Sequence, residues 1–174
     1  LLVQRFDRRS TGERDHVISA RTLLAVPEAS LDLDSSYPAI GELLRRMGQP
    51  ATAAAQWFDR MVFNIAIGNT DDHALNHLFR WDGHTLSLMP AFDLEPCGAR
   101  DQHRHQMRIT PDSHQGSLVN ALSAAAEFGL SVRQAQKRVD AIRRRIARDW
   151  RGIARKMKCS DAATGLIQSG LCLD

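Results

Sequence analysis

Residues 51 to 67 predict a helix that is apolar on most of its circumference, so other parts of the fold must surround it. Five large apolar side chains recur there at helical spacing, namely Trp57, Phe58, Met61, Val62 and Ile65. Gly68 follows at once and is suited to end the helix in a left-handed conformation. The sequence therefore predicts a central helix covered by several neighbours.

The segments available to cover this helix are themselves mostly helical. Residues 38 to 47 predict a helix that begins after Ser36 and stops at Gly48. Residues 118 to 128 predict another helix, ended by Gly129.

A long helix follows in the C-terminal part of the chain. Ser131 and Gln134 form a capping box at its start. Its apolar residues recur every three or four positions, giving one stripe of Val132, Ala135, Val139, Ile142, Ile146, Trp150, Ile153 and Met157.

The β-structure is expected to be small. Residues 1 to 9, "LLVQRFDRR", pass as a short strand, and residues 78–81 and 84–88 form two strands joined by Asp82-Gly83. A two-residue Asp-Gly link is a strong hairpin signal, and it pairs position 76 with position 89. Residues 98–117 have no period and predict a long loop. The class is mainly α with a small β-hairpin, in one domain over residues 1–174.

Composition excludes some classes of protein. No apolar run approaches the length of a membrane helix. Three cysteines without a C-x-x-C pair argue for a reducing, cytoplasmic setting and against a thiolate metal site. A formal charge of +3 is too modest to require a nucleic-acid partner.

Polar residues are concentrated between residues 68 and 96. With Asp82-Gly83 as the turn, Asn76 and Asp93 leave the same open end of the hairpin, and Asp71 lies on the preceding loop. Carboxylate and amide oxygens are hard ligands that suit Mg²⁺ better than Zn²⁺. Each residue taken singly is also explained as a turn cap or a partner of backbone groups.

The motifs of this region resemble a known family. An Asp followed five residues later by Asn, then a hairpin, then an Asp after an aromatic residue, is the catalytic-loop arrangement of protein kinases. The segment "NTDDHALN", followed by "LMPAFDLEP", resembles the corresponding motifs of the HipA family of bacterial toxin kinases. "RFDR" at residues 5–8 and "NALSAAAEFGLS" at residues 120–131 are similar to other parts of that family. The resemblance implies a kinase-like C-terminal lobe of the HipA type.

The resemblance also implies roles for individual residues. Asp71 would be the catalytic base for a Ser or Thr hydroxyl, and Asn76 and Asp93 would hold Mg²⁺ on the phosphates of ATP. Four further residues would contact the nucleotide, namely Gln4, Phe6, His73 and Phe92.

Two departures from the family pattern affect what the chain can do. Leu75 stands where the family usually has Lys, immediately before the metal-binding Asn. The chain also has no G-x-G and no lysine before Lys137, so the N-terminal lobe with its phosphate loop is absent from it. We expect this fragment alone to be inactive or a poor kinase.

The family resemblance implies partners for the parent polypeptide. These are a HipB-type helix-turn-helix antitoxin, DNA reached only indirectly through that antitoxin, and a protein substrate for which glutamyl-tRNA synthetase is the best-known kind. No membrane partner is expected. The alternative is a catalytically incomplete or degenerate HipA-like fragment that acts as a protein- or DNA-complex-binding module.

Two other functions compete with the kinase hypothesis. Five histidines, namely His73, His77, His84, His103 and His105, suggest a transition-metal hydrolase, although no H-E-x-x-H spacing supports it. The basic run from Arg143 to Lys158 suggests nucleic acid, although it lies off the apolar stripe, where a solvated face is expected.

Overall fold

The computed structural model describes residues 5–25, 35–97 and 103–173. The elements follow in the order β1 (Val17–Ser19), α1 (Ala20–Leu23), α2 (Tyr37–Met47), α3 (Ala53–Ile67), β2 (Leu78–Trp81), β3 (Leu86–Leu88), α4 (Leu118–Ser123), α5 (Val132–Lys156) and α6 (Asp161–Gly170). Two 3₁₀ turns, Ala74–Asn76 and Ala125–Phe128, complete the order.

Helix α3 is the centre of the fold, as its sequence predicts. Its five large apolar side chains are fully buried, and α2, α4 and α5 all pack against it. At its end, Gly68 has φ 69° and ψ 31°, the left-handed conformation that glycine adopts without steric cost. The helix therefore ends abruptly at the start of the polar region.

The other helix signals are confirmed with one change. Helix α2 begins after Ser36, whose hydroxyl accepts from Ala39 N–H at 3.4 Å, and Ser131 and Gln134 form the capping box of α5. The predicted helix over residues 118–128 is instead α4 followed by a 3₁₀ turn, which Gly129 ends with φ 72°.

The hairpin has a different register from the predicted one. Trp81 pairs with Leu86 rather than with His84, so the connection is a four-residue loop instead of a two-residue turn. The cause is the Asp82 carboxylate, which accepts from the Thr85 N–H at 2.7 Å and from the His84 N–H at 2.9 Å. The side chain of Asp82 thereby closes the loop together with one long backbone bond, from the Asp82 N–H to the Thr85 carbonyl at 3.4 Å.

The N-terminal strand also differs from the expectation. Residues 5–9 form no strand, and residues 1–4 lie outside the described residues. The third strand is β1, which pairs antiparallel with β2 through Ile18 and Phe79. The sheet order is β1-β2-β3.

The apolar stripe of α5 is buried only in its middle part. Ala135, Val139 and Ile146 pack on the core, whereas Val132 is 70% exposed and Met157 is 70% exposed. The helix has 25 residues and extends past the elements that could cover its ends. The core therefore covers only part of the apolar stripe that the sequence predicts.

Helix α6 returns the chain to the end of α3. Cys172 N–H donates to the Ala66 carbonyl at 3.0 Å, and a Cβ atom at Gly68 would lie 2.1 Å from the Gly170 carbonyl oxygen. The two backbones are thus in direct contact where the polar region begins. None of the helices in the described ranges combines the length and hydropathy that a membrane crossing requires.

Candidate active site

The loop after α3 places Asp71 at the surface. Its side chain is exposed, and its Oδ1 accepts a hydrogen bond from Gln106 Nε2 at 2.7 Å. The backbone before it is held by the Gln106 N–H, which donates to the Thr70 carbonyl at 3.3 Å. Asp71 is therefore an accessible carboxylate on a fixed piece of backbone.

The next residue, Asp72, has the opposite environment. Its carboxylate is buried and accepts from His77 Nε2 at 2.9 Å and from the Tyr37 hydroxyl. Two adjacent carboxylates thus face opposite ways, one toward solvent and one into the core. A buried carboxylate with two donors anchors the loop that carries Asp71.

Further buried groups extend this anchor toward Asp93. Asn64 Nδ2 donates to the Tyr37 hydroxyl at 2.9 Å, and Asn69 Nδ2 donates to Asn64 Oδ1 at 3.1 Å. The same Asn69 amide lies 3.4 Å from the carbonyl oxygen of Asp93, to which it donates. We call the five residues Tyr37, Asn64, Asn69, Asp72 and His77 the buried polar chain.

Burial and charge fix the protonation states within the buried polar chain. Burial alone would raise the pKa of the Asp72 carboxyl, but the His77 ring and the Tyr37 hydroxyl hold that pKa below its ordinary value. Burial, together with the neighbouring Asp72 charge, raises the pKa of Tyr37 well above its ordinary value. Asp72 is therefore the charged acceptor and Tyr37 the neutral donor.

Asn76 is the last residue of the first 3₁₀ turn, just before β2. It is only 8% exposed, and its side chain makes no hydrogen bond to another described residue. Its backbone is fixed, since its N–H donates to the His73 carbonyl at 2.9 Å. A buried amide without a protein partner has free capacity for a ligand.

Asp93 leaves the same end of the hairpin as Asn76. The last backbone hydrogen bond of the hairpin runs from the Met89 N–H to the Leu78 carbonyl at 3.0 Å. Leu78 lies two residues after Asn76, and Met89 lies four residues before Asp93. Asp93 has φ 56°, a left-handed conformation that Asp tolerates better than most residues. Its exposed carboxylate has no hydrogen-bond or ion-pair partner among the described residues.

The residues predicted to meet the nucleotide are placed as follows. The Phe6 and Phe92 rings lie 5.9 Å apart between centroids, so the segment near the N-terminus contacts the segment that carries Asp93. His73 is half-buried, and its Nδ1 has no hydrogen-bond partner among the described residues. Gln4 lies outside the described residues. No ligand contact tests these roles, which stay predictions.

The segment over residues 103–109 is more ordered than the predicted long loop suggests. His105, Met107 and Ile109 are buried in alternation with their neighbours, and Arg108 N–H donates to the Ser35 carbonyl at 2.8 Å. This alternation turns Gln106 outward beside Asp71.

Sequence reasoning missed the anchoring residues but could have found some of them. Asn64 is a polar residue within the apolar helix α3, and such a residue requires a buried partner. Tyr37 is the one tyrosine of the chain, placed at a helix start. No short-range signal pairs Gln106 with Asp71, because 35 positions separate them.

The competing hypotheses gain little from the structure. Across residues 5–25, 35–97 and 103–173, no group of three or more His, Cys, Asp or Glu side chains is arranged to hold a metal ion. His105 is buried, and burial lowers its pKa to about 4. The basic side chains from Arg143 to Lys158 are exposed, as expected of a solvated face.

Comparison with known proteins gives the same family as the motifs. The family model described as the HipA-like C-terminal domain matches residues 1–150, and the chain belongs to this family. A curated protein of Sinorhizobium fredii named "Putative kinase Y4mE" is 30% identical over 102 residues, covering 54% of this chain and 24% of that protein.

A solved structure shows the same fold. It is the Shewanella oneidensis toxin–antitoxin complex of HipA, HipB and operator DNA, which matches with a TM-score of 0.71 and 20% sequence identity. The match covers 96% of this chain and 45% of the solved chain. The chain thus spans less than half of the solved chain and about a quarter of the curated protein. The fold is mainly helical with a small antiparallel sheet and resembles that of HipA.

Proposed function

We propose that this chain is the kinase-like C-terminal lobe of a Mg-ATP-dependent serine/threonine protein kinase. The observation that carries the proposal is the hydrogen bond from Asn69 to the Asp93 carbonyl. It links the loop of Asp71 to the segment of Asp93 through the buried polar chain. Phosphoryl transfer depends mostly on positioning and on charge neutralisation, so a rigid link of this kind suits it.

Asp71 would be the catalytic base. Its carboxylate is exposed and can accept the proton of a substrate hydroxyl, while its backbone is held by the anchored residues on either side. Asp72 is excluded from this role because its carboxylate is buried and occupied by two donors.

Asn76 and Asp93 would hold the magnesium ion. The buried Asn76 amide and the exposed Asp93 carboxylate supply the hard oxygens that Mg²⁺ prefers, and neither side chain is occupied by another described residue. When bound, the ion neutralises charge on the transferring phosphate. Two oxygen side chains do not complete its shell, so the ion would bind together with the nucleotide.

Phe92 and Phe6 would line the adenine side of the site. Their rings pack together, which joins the start of the chain to the Asp93 segment. His73 would lie near the phosphates, and Gln4 would offer backbone groups to the base.

We further propose the biological setting of the parent polypeptide. By family, it is the toxin of a toxin–antitoxin pair in the bacterial cytoplasm, with a HipB-type antitoxin as partner and contact with DNA only through that antitoxin. The similarity to a solved HipA–HipB–DNA complex supports the antitoxin partner. A protein of translation such as glutamyl-tRNA synthetase would be the substrate, with growth arrest and persistence as the result.

The experiment is radiolabel transfer from ATP by the full-length polypeptide that contains an N-terminal lobe. Asp71→Asn, Asn76→Ala and Asp93→Ala should each abolish transfer and leave the unfolding temperature of the 174-residue chain unchanged. Asp140→Ala on α5 is the control and should keep full activity. If the Asp93→Ala variant still transfers phosphate, the metal role of that residue is wrong.

A second candidate is a catalytically incomplete binding module. The observation that favours it is Leu75, which is 47% exposed where the family pattern has Lys, so a cation beside the phosphates is missing. In this case the wild-type polypeptide would bind its protein partner but transfer no phosphate. Leu75→Lys would then be inactive too, whereas a weak kinase should gain activity from it.

A further inference from the structure

Gln106 holds one oxygen of Asp71 and leaves the other free. The Gln106 Nε2 to Asp71 Oδ1 distance is 2.7 Å, which is short for a nitrogen–oxygen hydrogen bond. An ionised carboxylate can only accept, so the NH₂ group of the amide must face it. Oδ2 of Asp71 has no partner among the described residues.

The contact is built on a fixed backbone. Gln106 lies between the buried side chains of His105 and Met107, and its own N–H donates to the Thr70 carbonyl at 3.3 Å. The His105 ring is confined further by Gly116, since a Cβ atom there would lie 2.3 Å from His105 Nε2. The amide is therefore presented to Asp71 by the fold and is more than a chance contact between two mobile surface side chains.

We propose that Gln106 is a positioning residue for the proposed catalytic base. This positioning role rests on the proposed kinase function. By occupying Oδ1, the amide fixes the carboxylate plane and directs Oδ2 to the incoming serine or threonine hydroxyl. A carboxylate held in this way abstracts the proton from one defined direction, which is the geometric requirement of general base catalysis.

The contact also joins two parts of the site that lie far apart in sequence. Asp71 precedes the hairpin, and Gln106 follows Asp93 by 13 positions. A protein substrate that contacts the segment around Gln106 would therefore touch the residue that aims the base. Gln106 contacts the proposed base and is distinct from the residues proposed for metal and nucleotide.

The test compares two substitutions that remove the donor but differ in size. Loss of one charge-assisted hydrogen bond predicts that Gln106→Ala lowers kcat about tenfold. Gln106→Glu has nearly the original shape but places a second carboxylate against Asp71, so it should lower kcat about a hundredfold. The KM for ATP and the unfolding temperature should stay at their wild-type values in both.

A matched control exists on α5. Gln136 Nε2 donates to Asp140 Oδ1 at 3.0 Å, the same chemical pair on an exposed helix face. Gln136→Ala should change neither kcat nor KM. All variants are measured in the full-length polypeptide by radiolabel transfer to its protein substrate.

The outcomes separate the two proposals. The positioning role is supported if kcat is highest in the wild type, lower in Gln106→Ala and lowest in Gln106→Glu. If Gln106→Glu instead keeps the wild-type kcat, while Gln106→Ala has the lowest kcat and is less stable, Gln106 has a packing role and the proposal is overturned. Unchanged kcat in both variants also overturns it and leaves the kinase function standing. No transfer by the wild-type polypeptide overturns the kinase function and this inference together.

Discussion

Two regions of the molecule depart from the usual distribution of polar and apolar side chains, in opposite directions. The buried polar chain places five polar side chains inside the core. The C-terminal half of α5 places apolar side chains in solvent, with Ile153 59% exposed beside an apolar groove of about 420 Å³. Phe63, Leu94 and Trp150 are among the residues that line this groove.

The difference between the regions lies in what each group finds as a partner. In the buried polar chain, the Tyr37 hydroxyl bonds to both Asn64 and Asp72, which offsets much of the cost of burying these three side chains. Along the outer part of α5, an exposed apolar side chain adds little to the stability of the fold, and its exposure costs little because it needs no hydrogen-bond partner. A polar side chain in the core therefore reports a specific arrangement, whereas an apolar side chain on the surface does not.

The largest effect should come from breaking the buried polar chain at its charged member. Asp72→Ala leaves the His77 ring and the Tyr37 hydroxyl without their acceptor, and such a loss costs about 3–5 kcal/mol. Urea unfolding of the 174-residue chain measures the change. The control is Asp71→Ala, the same substitution one residue earlier at an exposed site, for which we expect a change within about 0.5 kcal/mol. Equal effects of the two substitutions would contradict the anchoring role of Asp72.

A smaller effect should follow removal of the central hydroxyl. Tyr37→Phe keeps the ring, which packs 4.6 Å from that of Trp57, but removes the donor to Asp72 and the acceptor for Asn64. Leaving buried groups unpaired in this way costs about 1–3 kcal/mol in the free energy of unfolding. A variant as stable as the wild type would show that water or a shifted side chain replaces the hydroxyl.

Acid should weaken the same region more gradually. The folded pKa of Asp72 lies below its ordinary value, so its contribution to stability is present above the ordinary pKa and is lost as pH falls through the folded pKa. Since the Tyr37 hydroxyl helps to lower that pKa, the loss should be smaller in Tyr37→Phe and should end at a higher pH. Urea unfolding of both proteins as a function of pH measures the difference. Parallel curves would remove Tyr37 as a cause of the shift.

The smallest effect is expected in the exposed apolar part of α5. Ile153→Gln should change the free energy of unfolding by at most about 0.5 kcal/mol, because the side chain is largely in solvent. Ile146→Gln, on the buried part of the same helix, should cost several times more and is the matched comparison. If both cost the same, the end of α5 is covered in solution.

The sequence predicted the parts of the fold that depend on local signals. Helix α3, its end at Gly68 and the capping box of Ser131 are each specified by residues within a few positions. The motif around Asp71 is local too, but the catalytic role that it predicts for Asp71 stays a prediction. The roles of Asn76 and Asp93 as metal ligands stay predictions.

The features that the sequence did not predict depend on distant partners. The hairpin register differs from the predicted one because the Asp82 side chain holds a four-residue loop through the His84 and Thr85 N–H groups. The exposure of both ends of the α5 stripe could not be predicted, because periodicity shows which face is apolar and not how far the core extends. The Tyr37–Asp72 bond joins residues 35 positions apart, and no local pattern encodes such a pair.

The contact between Gly68 and Gly170 has a consequence for the order of events during synthesis. Gly170 follows Gly68 by 102 positions, so at about 5–20 residues per second it is made on the order of ten seconds later. During that interval the loop of Asp71 has been synthesised, but the backbone that packs against Gly68 has not. The contact that supports the start of this loop therefore forms only after the rest of the core has been synthesised, and until then the nascent chain lacks it.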